Sequence, residues 1–137
     1  MSDINLALLI DRLMRSIQFG LQARAPDFDR EAVGPGGGIV LMTLADTGQI
    51  SLHDLTKRVA RDKSQMTRMI RSLETKGLVT REPSAEDGRV SLVALTPKGE
   101  QIVGELMQTV AEVINDILEP ISETERATLR DLLARVV

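Results

Sequence analysis

The amino-acid sequence predicts a mainly α-helical fold of four helices, a β-hairpin and two further helices. Apolar residues recur every three or four positions along most of the chain, which is the pattern of amphipathic helices. Residues 78–95 are instead rich in Val, Thr and Leu around a turn that contains Pro and Gly, as in a hairpin. Capping residues mark several helix starts. With 137 residues, the chain is expected to form one domain, residues 1–137.

The first helix is predicted over residues 4–24 and has two apolar faces. One face follows the three-and-four spacing and consists of Leu6, Leu9, Ile10, Leu13, Ile17 and Leu21. The second face consists of Ile4, Ala7 and Leu8. Because a small domain offers too little core to cover both faces, we expect a second copy of the chain to cover one of them.

A glycine-rich run, Gly34–Gly38, precedes the second helix, which is predicted over Ile39–Thr47. Glycine and proline are strong breakers of regular structure, so the run is interpreted as a break between two helices. A hinge or a close approach of the backbone to a ligand are alternatives, but a flexible connector is the favoured interpretation.

Capping patterns define the third and fourth helices. Ser51 and Asp54 have the spacing of a helix start, and Asp62 opens the fourth helix with Gln65 as a reciprocal cap. The connection between them lies around Ala60-Arg61, and Gly77 ends the fourth helix in the left-handed conformation. Two short helices joined in this way form a helix-turn-helix, whose second helix can enter a major groove.

Two strands, Leu78–Arg81 and Arg89–Leu95, are predicted to form the hairpin around a turn at residues 83–88. The fifth helix begins at Thr96-Pro97 and ends before Pro120. Ser122 and Glu125 cap the sixth helix. Its apolar residues are expected to point inward: Leu129, Leu132, Leu133 and Val136.

Charge is segregated along the chain, although the net charge is only −3. Residues 51–99 hold ten Lys/Arg and six Asp/Glu, a balance of +4, whereas both flanking segments are acidic. This basic middle segment predicts an anion-binding surface, with a chance fluctuation of surface charge as the alternative.

Several function classes are excluded by what the sequence lacks. It has no cysteine and a single histidine, His53, so thiol chemistry and a metal site are not expected. It has no nucleophile–base pair and no phosphate loop, so the chain is not expected to be an enzyme and no cofactor is expected. The absence of a long apolar span predicts no membrane association and a cytoplasmic location.

The outward side of the fourth helix is the strongest candidate for a functional site. It consists of Lys63, Ser64, Gln65, Thr67, Arg68 and Arg71. Cations there suit phosphates, and short polar groups with a glutamine suit base edges, so the predicted partner is double-stranded DNA. The alternative is an ordinary solvated helix face, although such faces usually mix acidic and basic residues.

The hairpin adds three candidate DNA-binding residues. Arg89 follows Asp87-Gly88 at an exposed turn, and Arg81 lies on the neighbouring strand. A long cation on a narrow β-finger suits the minor groove, and Asp87 can orient it. The alternative is a turn aspartate with a weak neighbouring ion pair.

Three motifs resemble the MarR family of winged helix-turn-helix regulators. They are the run 62–81 (DKSQMTRMIRSLETKGLVTR), Asp87-Gly88-Arg89, and Leu95-Thr96-Pro97-Lys98-Gly99. The resemblance covers essentially the whole chain. It implies an α+β winged helix-turn-helix lobe at about residues 36–97, with dimerisation helices at about 4–24 and 97–137.

The resemblance also implies roles for single residues and a mode of regulation. Lys63 and Arg71 would contact phosphates, and Arg89, beside Asp87, would enter the minor groove. Four side chains would face bases and phosphates: Ser64, Gln65, Thr67 and Arg68. A homodimer would repress a nearby operon from a palindromic operator and release it when a small-molecule effector binds. The alternative is a winged-helix protein-interaction module that has lost DNA binding.

Overall fold

The computed structural model describes residues 2–29, 31–59 and 61–137, and within them it has six helices and three short strands. The elements are α1 (Ser2–Phe28), α2 (Gly34–Thr47), β1 (Ile50–Ser51), α3 (Leu52–Val59), α4 (Lys63–Thr75), β2 (Val79–Pro83), β3 (Ser91–Leu95), α5 (Pro97–Ile117) and α6 (Glu123–Val136). The predicted fold class, mainly helical with a small antiparallel sheet, is confirmed. Ala60, part of the predicted helix-turn-helix connection, lies outside the described residues.

The chain divides into two compact units. One holds the described residues up to Ala25 together with Thr109–Val137, and the other holds Pro26–Gln108. The helices α1 and α5 each contribute to both units. The second unit contains all of the residues predicted to form the winged lobe. The division into that lobe and dimerisation helices stays a prediction.

The core of the second unit is aliphatic and lies under one face of α4. Met66, Ile70 and Leu73 of that helix are fully buried, at the three- and four-residue spacing of an amphipathic helix. They pack in one cluster with residues of α2, α3 and the sheet, among them Leu41 and Leu55. Full burial of each such side chain stabilises the fold by about 1.5–3 kcal/mol. The opposite side of α4 is therefore left for solvent or a partner.

The sheet is antiparallel with strand order β1-β3-β2, so β3 is central. The first hairpin strand begins at Val79 and reaches Pro83, which can end a strand at the edge of a sheet. The second strand begins at Ser91, so the prediction that it begins at Arg89 was wrong. Arg89 lies in the turn instead. The two-residue strand β1 was not predicted.

The interpretation of Gly34–Gly38 as a break between helices was wrong. These residues form the first turns of α2, with Pro35 near the helix start and Gly37 and Gly38 buried. A Cβ atom at Gly36 would lie 2.8 Å from Cε of Met69, and one at Gly37 would lie 2.5 Å from Cγ1 of Val33. Close packing thus outweighs the cost of about 1 kcal/mol that glycine carries in a helix.

The connection between α1 and α2 follows an α1 that is longer than predicted. The helix continues through Pro26 to Phe28 rather than ending at residue 24. The carboxylate of Asp29 then accepts hydrogen bonds from the backbone N–H groups of Val33 (2.8 Å) and Gly34 (2.9 Å). Asp29 thus provides acceptors for two backbone donors at the start of α2, whose own N-cap residue, Val33, forms no side-chain cap.

Helices α1 and α6 expose many apolar side chains in the single chain. Leu9 and Ile10 of α1 are each about half exposed, as are Leu132 and Leu133 of α6. Helix α6 has no buried residue, so the expectation that its apolar side chains point inward is wrong for the isolated chain. The predicted cap of α6 is confirmed, because Ser122 and Glu125 form a reciprocal capping box. Among the described helices, none has the length and apolarity needed to cross a membrane.

Candidate nucleic-acid interface

The first turn of α4 presents polar side chains at the positive end of the helix dipole. Asp62 caps the helix, and its Oδ1 accepts a hydrogen bond of 3.0 Å from the backbone N–H of Gln65, which confirms one half of the predicted reciprocal cap. Lys63, Ser64 and Gln65 are exposed. Helix N-termini favour anions because their N–H groups point outward. This tip thus combines a cation and two groups able to form hydrogen bonds with a favourable backbone field.

The outward face continues toward the C-terminal half of α4 as a basic groove. Arg68 and Arg71 are exposed and line a cleft of about 320 Å³ together with Ser72, Thr75 and Lys76. None of these lining residues is acidic, so the groove is suited to phosphates. Thr67 is half-buried, and its hydroxyl donates a 2.9 Å hydrogen bond to the carbonyl oxygen of Lys63. Of the predicted residues on α4, Thr67 is therefore the least accessible.

The hairpin turn holds Arg89 in a defined direction. Asp87 Oδ1 accepts hydrogen bonds from the backbone N–H (3.0 Å) and Nε (3.2 Å) of Arg89, and Oδ2 accepts one from Nη2 (3.3 Å). The side chain of Arg89 is nevertheless 92% exposed. Backbone hydrogen bonds from Val90 to Asp87 and from Ser84 to Val90 close the turn. The guanidinium is thus oriented by its neighbour and open to a partner.

The same contacts lower the pKa of the Asp87 carboxyl below its ordinary value of 3.8, first through the Arg89 side chain and then through its backbone N–H. Because this pKa is lowered, the contact between the Asp87 carboxylate and Arg89 contributes fully above pH 3.8. It is lost as the pH falls through the lower pKa of the folded state. We expect Arg89→Ala to raise the pKa of Asp87 only part of the way, because the backbone N–H at position 89 remains.

An NMR titration of the carboxyl groups measures this shift and has an internal control. The pKa of Glu125 is also lowered, by the backbone N–H and the hydroxyl of Ser122 in the cap of α6. It should titrate identically in the Arg89→Ala variant. An Asp87 titration that does not move would show that the side chain of Arg89 leaves the carboxylate in solution.

Arg81 is placed differently from Arg89. Its side chain is 30% exposed, and Nη2 lies 3.6 Å from Oε1 of Glu74 in the last turn of α4. Arg81 thus links the first hairpin strand to α4. A contact between Arg81 and DNA stays a prediction.

Three exposed cations of α3 and of the segment before α4 were not singled out from the sequence. Lys57 and Arg58 lie in the last turn of α3, and Arg61 precedes the cap of α4. The excess of Lys and Arg in residues 51–99 could have indicated them, because all three contribute to it. Their side chains enlarge the basic surface of the second unit.

Comparison with known proteins places these elements in a family. A model of the MarR family matches residues 39–91. The uncharacterized HTH-type transcriptional regulator YdgJ of Bacillus subtilis (strain 168) is 35% identical over 97 residues, which are 71% of this chain and 59% of YdgJ. The HTH-type transcriptional regulator PecS of Dickeya dadantii (strain 3937) is 30% identical over 133 residues, covering 95% of this chain and 74% of PecS. The chain thus spans less than two thirds of YdgJ.

Solved structures of similar proteins agree. Wild-type MarR of E. coli, in its apo form, superposes with a TM-score of 0.80 at 28% identity, covering 96% of each chain. BpsR of Bordetella bronchiseptica, whose DNA binding is regulated by 6-hydroxynicotinic acid, has a TM-score of 0.75 at 25% identity, covering 94% of this chain and 89% of BpsR. NadR in complex with 4-hydroxyphenylacetate has a TM-score of 0.75 at 25% identity, covering 97% and 91%.

The segment matched by the family model runs from α2 to the start of β3 and contains both α4 and the hairpin turn. The similarity to PecS extends over nearly the whole chain. The matched family consists of transcriptional regulators that bind DNA and small molecules and are not enzymes, which confirms the prediction of a non-enzymatic protein. On these grounds the chain belongs to the MarR family of transcriptional regulators.

Proposed function

We propose that the protein binds a palindromic operator as a homodimer, with α4 of each subunit in a major groove and each hairpin turn in the adjacent minor groove. The observation that carries this proposal is the exposed side of residues 63–71, which holds Lys63, Arg68 and Arg71 and no carboxylate. A solvated helix face usually alternates the two signs of charge. A helix face without carboxylates, together with the exposed Arg89, is instead suited to binding a polyanion.

We propose a role for each candidate residue, which its position in the structure supports. The exposed cations Lys63 and Arg71 contact phosphates and fix the register of α4 on the duplex. Four residues of α4 are proposed to face bases and phosphates: the exposed Ser64, Gln65 and Arg68, and the half-buried Thr67, whose hydroxyl donates to Lys63 and is left as an acceptor. Arg89, oriented by Asp87, enters the minor groove, where the negative potential is strongest. Arg81 contributes positive charge next to the hairpin.

The homodimer is supported by the apolar surface of α1 and α6. Isolated exposed leucines are common on proteins, but rows of them along two helices mark an interaction surface. Leu6, Leu9 and Ile10 of α1 are each at least half exposed. A symmetric dimer requires an inverted repeat with half-sites roughly one helical turn apart. Because its proposed partner is DNA, we propose that the protein is located in the cytoplasm.

Two alanine variants distinguish the proposed roles. Arg89→Ala is expected to weaken binding to every sequence, most of all where the flanks are rich in A·T, because it removes a minor-groove cation. Gln65→Ala is expected to relax the choice of base at one position of each half-site, by about 1–3 kcal/mol. Fluorescence anisotropy on a panel of single-base operator variants, at several salt concentrations, measures both effects.

A control from the same turn is Glu86→Ala, which removes an exposed charge that has no proposed contact. It should bind as tightly as the unsubstituted protein or more tightly, since a negative charge is lost. Equal losses for Arg89→Ala and Gln65→Ala on every sequence would contradict the assignment of roles. A gel shift that shows no binding to the DNA upstream of its own gene, even at low salt, would favour an interaction module instead.

We further propose that the protein is a repressor whose DNA binding responds to a small molecule. The similarity to BpsR and NadR, with their small organic acids, supports an effector of this size. A cleft of about 360 Å³ in the second unit is lined by Leu44, Gln49, Leu95, Glu100 and Val103, among other residues. Because Glu100 is its charged group, this cleft does not complement an acid. A thermal-shift screen should therefore include amines as well as acids.

A further inference from the structure

Two lysines join the connection between α1 and α2 to the C-terminal end of α4. Lys76, which follows the last residue of α4, donates from Nζ to the carbonyl oxygen of Ala32 at 2.9 Å. Lys98, in the first turn of α5, donates to the carbonyl oxygen of Lys76 at 3.1 Å and pairs with Oε1 of Glu31 at 3.1 Å. We call these contacts the lysine clamp. All of them lie within the second compact unit.

The connection that receives the clamp is a constrained segment. Asp29 binds the N–H groups of Val33 and Gly34, and its own carbonyl accepts a hydrogen bond from the N–H of Ala32. Ala32 has a φ of 53°, in the left-handed region that is uncommon for residues other than glycine. Such a conformation persists only when neighbouring contacts hold it. The hydrogen bond from Lys76 is one of the contacts that do so.

The end of α4 receives donors from the start of α5. The last carbonyl groups of a helix have no partner within it and carry its negative dipole end. Thr96 donates its hydroxyl proton to the carbonyl oxygen of Gly77 at 2.6 Å, and Lys98 donates to that of Lys76. The two lysine charges also lie near the favoured end of the dipole. The clamp therefore fixes where α4 ends relative to α2 and α5.

We propose that Lys76 and Lys98 are positioning residues for DNA binding: they set the direction of α4 through the connection between α1 and α2 and need no contact with DNA. The role rests on the proposed function. The competing role is a phosphate contact, which is natural for Lys76 because it also lines the basic groove of α4. Its ammonium group, however, is directed to the carbonyl of Ala32.

The experiment compares Lys98→Met and Lys76→Met with Lys63→Met, the matched control at a proposed phosphate contact. Hydrogen exchange on the free protein should be about three- to tenfold faster in the last turn of α4 and in residues 31–34 for the clamp variants, because charge-assisted hydrogen bonds are lost at a partly exposed site. Lys63→Met should leave that exchange unchanged. Lys98→Arg, which keeps the charge and donors, should restore slow exchange.

Operator affinity at several salt concentrations completes the test. The clamp variants should bind more weakly, with the salt slope of the unsubstituted protein, whereas Lys63→Met should lower the slope by about one. A lowered slope with unchanged exchange in Lys98→Met or Lys76→Met would overturn the positioning role in favour of a phosphate contact. Unchanged exchange and affinity would overturn it as well. If the unsubstituted protein binds no DNA, the proposed function fails, and the exchange data still decide whether the clamp holds α4.

Discussion

Glutamate in place of Leu9 is expected to leave the protein monomeric at micromolar concentration and to weaken operator binding by roughly 10²–10⁴-fold, the factor that two linked binding sites gain over one. Leu9 is half exposed on the apolar face of α1. A charge there would be buried without a partner in a dimer, at a cost of several kcal/mol. Sedimentation velocity gives the oligomeric state, and anisotropy gives the affinity for a full and a half operator.

Gln22→Glu is the matched control for that substitution. It adds the same charge to an exposed position of α1, on the side opposite to Leu9, Leu13 and Ile17 and about four helical turns from the second apolar face. We expect it to remain a dimer with unchanged affinity. A dimeric Leu9→Glu protein would show that another surface joins the subunits, and a monomeric unsubstituted protein would contradict the dimer itself.

Alanine at Gly99 is expected to lower the free energy of unfolding by at least about 2 kcal/mol. Gly99 is buried in the first turn of α5, and its Cβ would overlap the carbonyl oxygen of Leu78. That oxygen also accepts a hydrogen bond from the N–H of Thr96, so it is held in place. Overpacking against a flexible side chain costs about 1–3 kcal/mol, and a backbone atom can yield less. Urea denaturation at fixed protein concentration measures the loss.

Gly104→Ala in the same helix is the control for Gly99→Ala. Gly104 is exposed, and no atom outside its own helix backbone lies within 4 Å of a Cβ built there. Alanine at this position should stabilise the protein by about 0.5–1 kcal/mol, the usual gain for a helix interior. If Gly99→Ala and Gly104→Ala lower the free energy of unfolding equally, the contact with Leu78 does not explain the loss at Gly99.

The parts of the fold that the sequence predicted are those with local causes. The buried spacing of Met66, Ile70 and Leu73 lies within a single helix, and periodicity alone reveals it. The caps at Asp62, Thr96 and Ser122 also act within three residues of themselves. The outward side of α4 was predictable for the same reason, because it consists of the residues that do not lie on the apolar face of the helix.

The parts that the sequence did not predict depend on contacts between distant residues. The glycine run belongs to α2, where Gly36 lies close to Met69, which is 33 positions further along the chain. The strand β1 exists because Ile50 pairs with Val93. The link between Arg81 and Glu74, and the clamp formed by Lys76 and Lys98, likewise need the folded arrangement. Propensity is a weak guide wherever tertiary packing decides.

The division of α4 into a buried and an outward side separates folding from recognition in the same thirteen residues. Met66, Ile70 and Leu73 anchor the helix, while Ser64, Gln65 and Arg68 add little to the core. If these outward residues recognise DNA as proposed, their exchange would retarget the protein to new operators at little cost in folding free energy.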